Sequence, residues 1–268
     1  MDGRLALACV YAGGRTRLKT LRFEGLARSS RALADTGGAI RVLTAALGPG
    51  FLGGDGVTRD IDVGAGATLI VAAQMATPVF AGAAPSRGLT RASVAAGGAL
   101  YAPGEPLLIA PGARHETSAE LTICGDGVAF IAEIVALGFG ARLRARTSAW
   151  IDGRLAVRDA CDLEGERRER ALLSAIVVTA DAVRRDVLAT RYTAAAAEHA
   201  AVRCGVGATG GAIIIRAGAS GAWALQQFLE HIVAITRAGA SKPDDLFERR
   251  VHEIAQDGPV VHAQLGRL

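Results

Sequence analysis

The sequence predicts a mostly β protein, with layered β-hairpins in a superhelical or sandwich-like body and two α-helices in its C-terminal part. Three observations favour this class. Half of the 268 residues are hydrophobic but only 4% are aromatic, so the core must be built from small aliphatic side chains. Glycine is abundant, at 34 residues, which is typical of many tight turns. Short stretches of alternating apolar and polar residues fill the first 165 positions, as expected for half-buried strands.

The N-terminal strands are predicted from alternation. Leu5–Tyr11 and Thr16–Phe23 both interleave apolar or β-branched residues with polar ones. In the second stretch Leu18 lies between Arg17 and Lys19. Such a period of two predicts strands with one solvated face.

Three repeated units follow between residue 40 and about residue 165. Each consists of an apolar stretch, a Gly-rich turn and a second apolar stretch: Asp60–Val71, Arg91–Tyr101 and Glu120–Ile131. Glycine allows the positive φ that a tight hairpin turn needs. A lone hairpin is only marginally stable in water, whereas stacked copies share a continuous core. The units therefore predict layered hairpins, although chance recurrence in a sequence rich in Ala and Gly is the alternative.

The pattern changes after residue 165. Asp181 is a candidate N-cap for a helix over Ala182–Ala189 that extends as far as Ala201. Ala212–Arg216 reads as a buried strand, and Gly221–Arg237 has apolar residues close to helical spacing. We predict one domain over residues 1–268, with a β body of about 1–165, a helix and strand part of about 166–240 and a peripheral tail at 241–268.

Charge and cysteine usage exclude several classes of protein. The net charge of +4 comes from scattered arginines, which argues against a nucleic-acid interface. The four cysteines, at positions 9, 124, 161 and 204, have no zinc or redox spacing. No apolar stretch approaches the ~20 residues of a membrane span, and no secretory leader is recognisable. We therefore expect a soluble, cytoplasmic protein with no nucleic-acid or membrane partner.

Motifs for catalysis or tight cofactor binding are absent from the sequence. Gly48–Gly53 and Gly205–Gly210 fit the G-x-G-x-x-G pattern, but neither follows a strand and opens a helix as a dinucleotide site requires. The five histidines form no zinc-binding pair, and there is no G-x-S-x-G elbow. We expect no catalytic residues and no tightly bound cofactor.

Several carboxylates lie in apolar surroundings. Glu133 interrupts the stretch Val128–Leu137, Asp55 follows two glycines, and Asp60 and Asp62 share one face of a strand. A buried carboxylate is costly unless it is paired or bound to a cation. These residues form either salt bridges on exposed faces or a polar path for a divalent metal ion, and carboxylates bind nickel weakly enough for transfer.

Five segments, taken in order, resemble the family of urease accessory proteins called UreD or UreH. They are Gly48–Asp55, with its Gly-Gly-Asp turn, Thr68–Phe80, Tyr101–Ala113, Glu133–Gly138 and Trp150–Leu163. The similarity covers roughly residues 13–165. Some positions that are usually charged in that family are not charged in this chain, namely Pro78, Ala81, Phe139 and Ala160.

The resemblance implies a β-superhelical, non-enzymatic scaffold. It would bind UreF, which recruits the GTPase UreG, and the three would deliver nickel to urease apoprotein. By position, the resemblance makes Asp55, Asp159 and Glu133 candidates for a nickel path, with nickel in transit rather than resident. On the C-terminal helix, the candidate partner surface consists of Trp223, Phe228 and Ile232.

Two other functions remain open from the sequence. One is an enzyme on a β-solenoid that acts on polysaccharide, in which Asp60 and Asp62 would be catalytic carboxylates. The other is a protein-interaction module with no role in metal handling.

Overall fold

The computed structural model describes residues 1–104, 106–166 and 170–240. Up to residue 104 the strands are β1 (Asp2–Ala12), β2 (Arg15–Gly25), β3 (Ala27–Ser29), β4 (Leu33–Ala34), β5 (Ile40–Ala46), β6 (Gly56–Val63), β7 (Thr68–Ala73), β8 (Thr77–Val79), β9 (Ser86–Val94) and β10 (Ala99–Pro103). The later strands are β11 (Leu107–Ile109), β12 (Arg114–Ile123), β13 (Val128–Leu137), β14 (Arg142–Ile151), β15 (Arg154–Glu164), β16 (Arg170–Thr179), β17 (Arg203–Thr209) and β18 (Ala212–Ala219). The helices are α1 (Ala182–Glu198) and α2 (Ala222–Ala240), with a short 3-10 turn at Thr36–Gly38.

The strands form two sheets that face each other. The seven-stranded sheet has the order β15-β14-β12-β9-β6-β1-β2, in which the pairs from β1 to β14 are parallel and the two outermost pairs are antiparallel. The eleven-stranded sheet has the main order β17-β18-β16-β13-β10-β7-β5-β3, to which the short strands β4, β8 and β11 are added. The predicted class, mostly β with a stacked body and two C-terminal helices, is confirmed.

The repeated units differ from the predicted hairpins in how their strands pair. In each unit the first strand lies in the seven-stranded sheet and the second lies in the eleven-stranded sheet, as β6 and β7 show. Each strand pairs in parallel with the equivalent strand of the next unit. The chain therefore winds as a coil around the core, because both strands of a unit point their apolar side chains into the space between the sheets.

The turns of successive coils stack closely, which explains the recurring glycines. Gly66 and Gly97 both have a φ of +67°, a conformation that glycine adopts without strain. A Cβ on Gly98 would lie 2.9 Å from the carbonyl oxygen of Ala95 and 3.0 Å from that of Gly64. These glycines therefore form the turns and also allow the backbones of successive coils to approach each other closely.

Both faces of the eleven-stranded sheet are buried. Its inner face packs on the seven-stranded sheet, and its outer face packs under α1 and α2 through a second apolar cluster that includes Tyr101, Phe130 and Phe228. The predicted cap is present, since the side chain of Asp181 accepts a hydrogen bond of 2.9 Å from the amide of Arg184. The helix that was predicted over Ala182–Ala189 continues to Glu198, and the predicted tail at 241–268 lies outside the described residues.

Candidate functional site

A central cavity of about 130 Å³ lies between the two sheets. On the seven-stranded sheet, one cross-strand row of its floor is formed in register by Arg59, Thr90, Ala119, Thr147 and Asp159. The next inward row, toward the N-terminal ends of the parallel strands, also lines the cavity through Gly88, Thr117 and Ala145, whereas the row on the other side is apolar. Polar side chains therefore enter the core at two adjacent rows.

The opposite wall of the cavity comes from the eleven-stranded sheet. Glu133, Ser174 and Arg216 are register partners on β13, β16 and β18. Side chains alternate along a strand, so the even-numbered neighbours Ala132 and Ile134 pack under the helices while Glu133 points between the sheets. Both faces of β13 are buried, so the residues on either side of Glu133 in the sequence are apolar even though Glu133 itself points into the cavity.

Arg216 joins the two walls at the open side of the cavity. Its guanidinium forms an ion pair with Asp159 on the opposite sheet and donates a hydrogen bond of 2.7 Å to the Ser174 hydroxyl. Asp159 therefore lines the cavity, as a residue on a metal path would, but its charge is balanced by Arg216.

Glu133 occupies the centre of the site. Burial raises the pKa of its carboxyl to about 7, while nearby Arg59 and a hydrogen bond with Thr117 act in the opposite direction. This carboxyl therefore holds its proton to a higher pH than an ordinary glutamate does. Carboxyl groups with a pKa shifted in this way are typical of functional sites.

His115 lies at one end of the cavity and is 3% exposed. Its ring stacks on Phe51, with centroids 5.8 Å apart, and its Nδ1 lies 2.8 Å from the Ser86 hydroxyl. Burial, with a contribution from Arg59, lowers the pKa of His115 to about 4 against the opposing effect of Glu116, so the ring is neutral at pH 7. Its neighbour Glu116 points outward and pairs with Arg87 at 3.2 Å, because side chains alternate along a strand.

Two further pockets adjoin the central cavity. An edge pocket of about 220 Å³ shares Glu133, Ala145 and Ser174 with the central cavity. An outer pocket of about 520 Å³ shares His115 with it and is otherwise lined largely by charged residues of β12, β14 and β15. Glu133 therefore lines both the central cavity and the edge pocket, and His115 lines both the central cavity and the outer pocket.

Asp55 lies away from this cavity. Its carboxylate accepts hydrogen bonds from the amine of Met1, at 2.5 Å, and from the amide of Leu52, at 2.8 Å. Burial alone would raise the pKa of Asp55, but the bond from the amine holds it below its usual value. The structure thus gives Asp55 a role in closing the Gly-rich turn and does not bring it together with Glu133 and Asp159.

The carboxylates Asp60 and Asp62 are on the outer face of the seven-stranded sheet. Asp60 pairs with Arg4 at 2.9 Å and with Arg91 at 3.7 Å, while Asp62 accepts a hydrogen bond from Ser93. They therefore belong to a cross-strand ladder of ion pairs, which neutralises the carboxylates that a glycoside-cleaving site would need.

The three residues predicted as a partner surface on α2 have different environments. Trp223 is 74% exposed, whereas Phe228 and Ile232 are fully buried against the eleven-stranded sheet. Helical spacing alone predicts which residues share a face but not whether that face meets solvent or core. Of these three, only Trp223 is available to another protein in this structure.

The sequence did not single out Arg59, Arg216 or His115 as site residues. Arg59 stands at an inward position between Val57 and Ile61, and Arg216 follows a run of three isoleucines. The available signal was an isolated charged residue at a strand position whose side chain points into the core. Arg59 and Arg216 carry this signal as clearly as Glu133 does.

No preformed metal centre is present in the described ranges: no group of three or more His, Cys, Asp or Glu side chains there is arranged to hold an ion. Neither described helix has the length and apolar character that crossing a membrane would require.

Comparison with known proteins identifies the family. The sequence model of the UreD urease accessory protein family matches residues 1–248. The chain is 31% identical over 139 residues to the urease accessory protein UreD of Sorangium cellulosum, which covers 51% of this chain and 43% of that protein. It is 36% identical over 131 residues to UreD of a Parafrankia species, covering 47% of this chain and 43% of the relative. These alignments span less than half of each relative, while the family match spans most of the chain. The chain therefore belongs to the UreD family of urease accessory proteins.

Proposed function

We propose that this chain is a non-catalytic scaffold that acts with UreF and UreG to insert nickel into urease apoprotein. Membership of the UreD family supports a role in the urease machinery. The partners and the metal follow from the family resemblance that the sequence carries. The stacked coil suits a scaffold, since two packed sheets and a helical layer make a rigid body with a large surface.

The central cavity is the observation that carries the nickel proposal. Its volume of about 130 Å³ has room for roughly four water molecules at about 30 Å³ each. That space admits a partly hydrated cation. The cavity shares lining residues with pockets on two sides, and we propose these pockets as the two ends of the route.

The charges around the cavity favour passage over storage. Glu133 supplies one carboxylate whose raised pKa lets it lose a proton as a cation arrives. Arg59 lines the cavity, and Arg216 lies beside it in the edge pocket, where it pairs with Asp159. These positive charges oppose a permanently bound divalent ion. Weak ligation by one carboxylate and several hydroxyls is what transfer requires.

A group of exposed apolar side chains supports docking to another protein. Leu52, Phe80 and Leu108 are 52%, 37% and 42% exposed. The bridge between Phe51 and Val79 and the pairing of β8 with β11 bring them onto neighbouring segments of one surface. Contiguous apolar surface of this kind is typical of protein interfaces.

Complementation of a deletion strain tests this function. We expect the wild-type gene to restore urease activity at limiting nickel, and Glu133→Gln to restore at least tenfold less. Glu120→Gln is the matched control, because Glu120 is an exposed carboxylate on the outer face of the seven-stranded sheet. Excess nickel should rescue Glu133→Gln, and pull-down of UreF should be equal for both variants.

Two results would count against the proposal. Equal activity of the deletion strain and the complemented strain would remove the role in urease maturation. Equal activity of Glu133→Gln and Glu120→Gln at limiting nickel would leave the scaffold but remove the cavity as the route.

A further inference from the structure

Two histidines meet on the helical layer, where α1 ends against α2. His199 caps the C-terminus of α1, and its Nε2 lies 3.3 Å from Nδ1 of His231 on α2. The carboxylate of Glu198 is 3.9 Å from the same Nδ1. The ring of His199 is fixed in place by an edge-on contact with the buried ring of Phe228, with centroids 5.3 Å apart.

The distance between the two ring nitrogens matches that between two ligands of one ion. Imidazole nitrogens bind a tetrahedral divalent cation at about 2.0–2.1 Å, which places two such ligands about 3.3–3.4 Å apart. The observed separation of 3.3 Å is also longer than most hydrogen bonds between nitrogen and an acceptor. The spacing of the two nitrogens is therefore that of two ligands of one cation.

The electrostatics of this position favour positive charge. The last carbonyl groups of a helix carry a partial negative charge, and the last turn of α1 contains no basic side chain to balance it. Glu198 adds a full negative charge at the same end. His231 and Glu198 have side chains that are 36% and 67% exposed, so a hydrated ion can reach them from solvent.

We propose that His199 and His231 form a surface site for one divalent cation of the imidazole-preferring class, such as Ni²⁺ or Zn²⁺. Glu198 supplies a third ligand by a small rotation of its exposed side chain, and water fills the remaining position. This rotation is needed because no three-ligand cluster is preformed in the described parts of the chain.

The site is separate from the central cavity. The helices cover the outer face of the eleven-stranded sheet, whereas Glu133 points between the two sheets. An ion held by one residue of each helix would also fasten α1 to α2. The inference goes beyond the proposed function and does not depend on it.

Metal titration of the full chain tests the site. Isothermal titration with NiCl₂ and with ZnCl₂ at pH 7.5 should show one site in the wild type. The affinity of this site should fall at least tenfold in His199→Gln and in His231→Gln. Glu198→Gln, a change at an exposed side chain, should weaken it several-fold. The double variant His252→Gln/His262→Gln controls for two other imidazoles of the chain and should bind as the wild type does.

X-ray absorption at the metal edge provides a second readout. The loaded wild type should show two imidazole ligands, and Glu133→Gln should show the same two, which separates this site from the proposed cavity route. Circular dichroism without metal confirms that each variant is folded. Wild-type affinity in folded His199→Gln and His231→Gln, or a spectrum with no imidazole ligand, would overturn the proposal.

Discussion

Glu133 shows how a single residue can be predicted as functional while its setting cannot. Its place inside an apolar stretch was visible in the sequence, and the structure puts it on the wall of the central cavity. Its opposing charge, Arg59, is more than seventy residues away along the chain, and only strand register brings the two to one cavity. Sequence alternation gives the face of a residue but not its cross-sheet partner.

The pKa of Glu133 leads to a prediction for stability. Between the ordinary glutamate pKa of 4.5 and about 7, the folded state holds a proton that the unfolded state has released. Stability of the wild type should therefore fall as pH rises through this window. Glu133→Gln removes the ionisation and keeps a group that can bond with Thr117, so it should be more stable than the wild type at pH 7.5 by about 1 to 3 kcal/mol.

Urea unfolding at pH 5 and pH 7.5 measures this difference. The exposed variant Glu120→Gln should follow the wild type at both values. The contradicting result is a difference in unfolding free energy between Glu133→Gln and the wild type that is the same at pH 5 and at pH 7.5. It would show that the Glu133 carboxyl is not desolvated in the fold.

At the scale of elements, the recurring glycines predicted the turns correctly but not which strands they join. Hairpins and coil turns both need Gly at positive φ, so turn chemistry alone does not distinguish them. The second stretch of each unit, as in Leu69–Val71, is apolar at every position, which is typical of parallel strands buried on both faces. A continuous apolar strand of this kind therefore indicates a sheet that is covered on both faces, here by the other sheet and by the helices.

The stacking of coil turns predicts a sharp difference between two glycines. Gly98→Ala would place a Cβ 3.0 Å from the Gly64 carbonyl oxygen of the preceding coil and 2.9 Å from the Ala95 carbonyl oxygen, so it should cost about 1 to 3 kcal/mol of unfolding free energy. Gly205→Ala, on strand β17, meets no atom within 4 Å and should be close to neutral. Chemical denaturation of both variants checks this, and an equal effect at the two positions would contradict the close approach of successive coils.

At the scale of the whole molecule, one carboxylate ties the N-terminal third to the C-terminal helix. Asp35 accepts hydrogen bonds from Arg41 at 2.9 Å and from Arg237 at 2.7 Å, although 202 residues separate Asp35 from Arg237. Burial alone would raise the pKa of Asp35, but these arginines and the amide of Thr36 lower it to about 2. No sequence pattern indicated this contact, because neither residue lies in a motif.

The Asp35 contacts predict how stability depends on acid. Because the folded pKa lies below the ordinary value of 3.8, the stabilisation is complete above about pH 4 and is lost as pH falls toward 2. Asp35→Asn should therefore cost about 1 to 2 kcal/mol at pH 7 and less at pH 3. Thermal unfolding at both pH values measures the change, with the exposed Asp186→Asn on α1 as the control; a loss that is equal at pH 7 and pH 3 would argue against an ionic role.

The central claim, that this chain promotes nickel insertion into urease, is tested most directly by the nickel content of urease itself. Urease would be purified from the deletion strain and from the complemented strain grown at the same limiting nickel, and nickel per active site measured by mass spectrometry. We expect urease from the deletion strain to hold several-fold less nickel at an equal amount of urease protein. Equal nickel content in the two preparations would contradict the account.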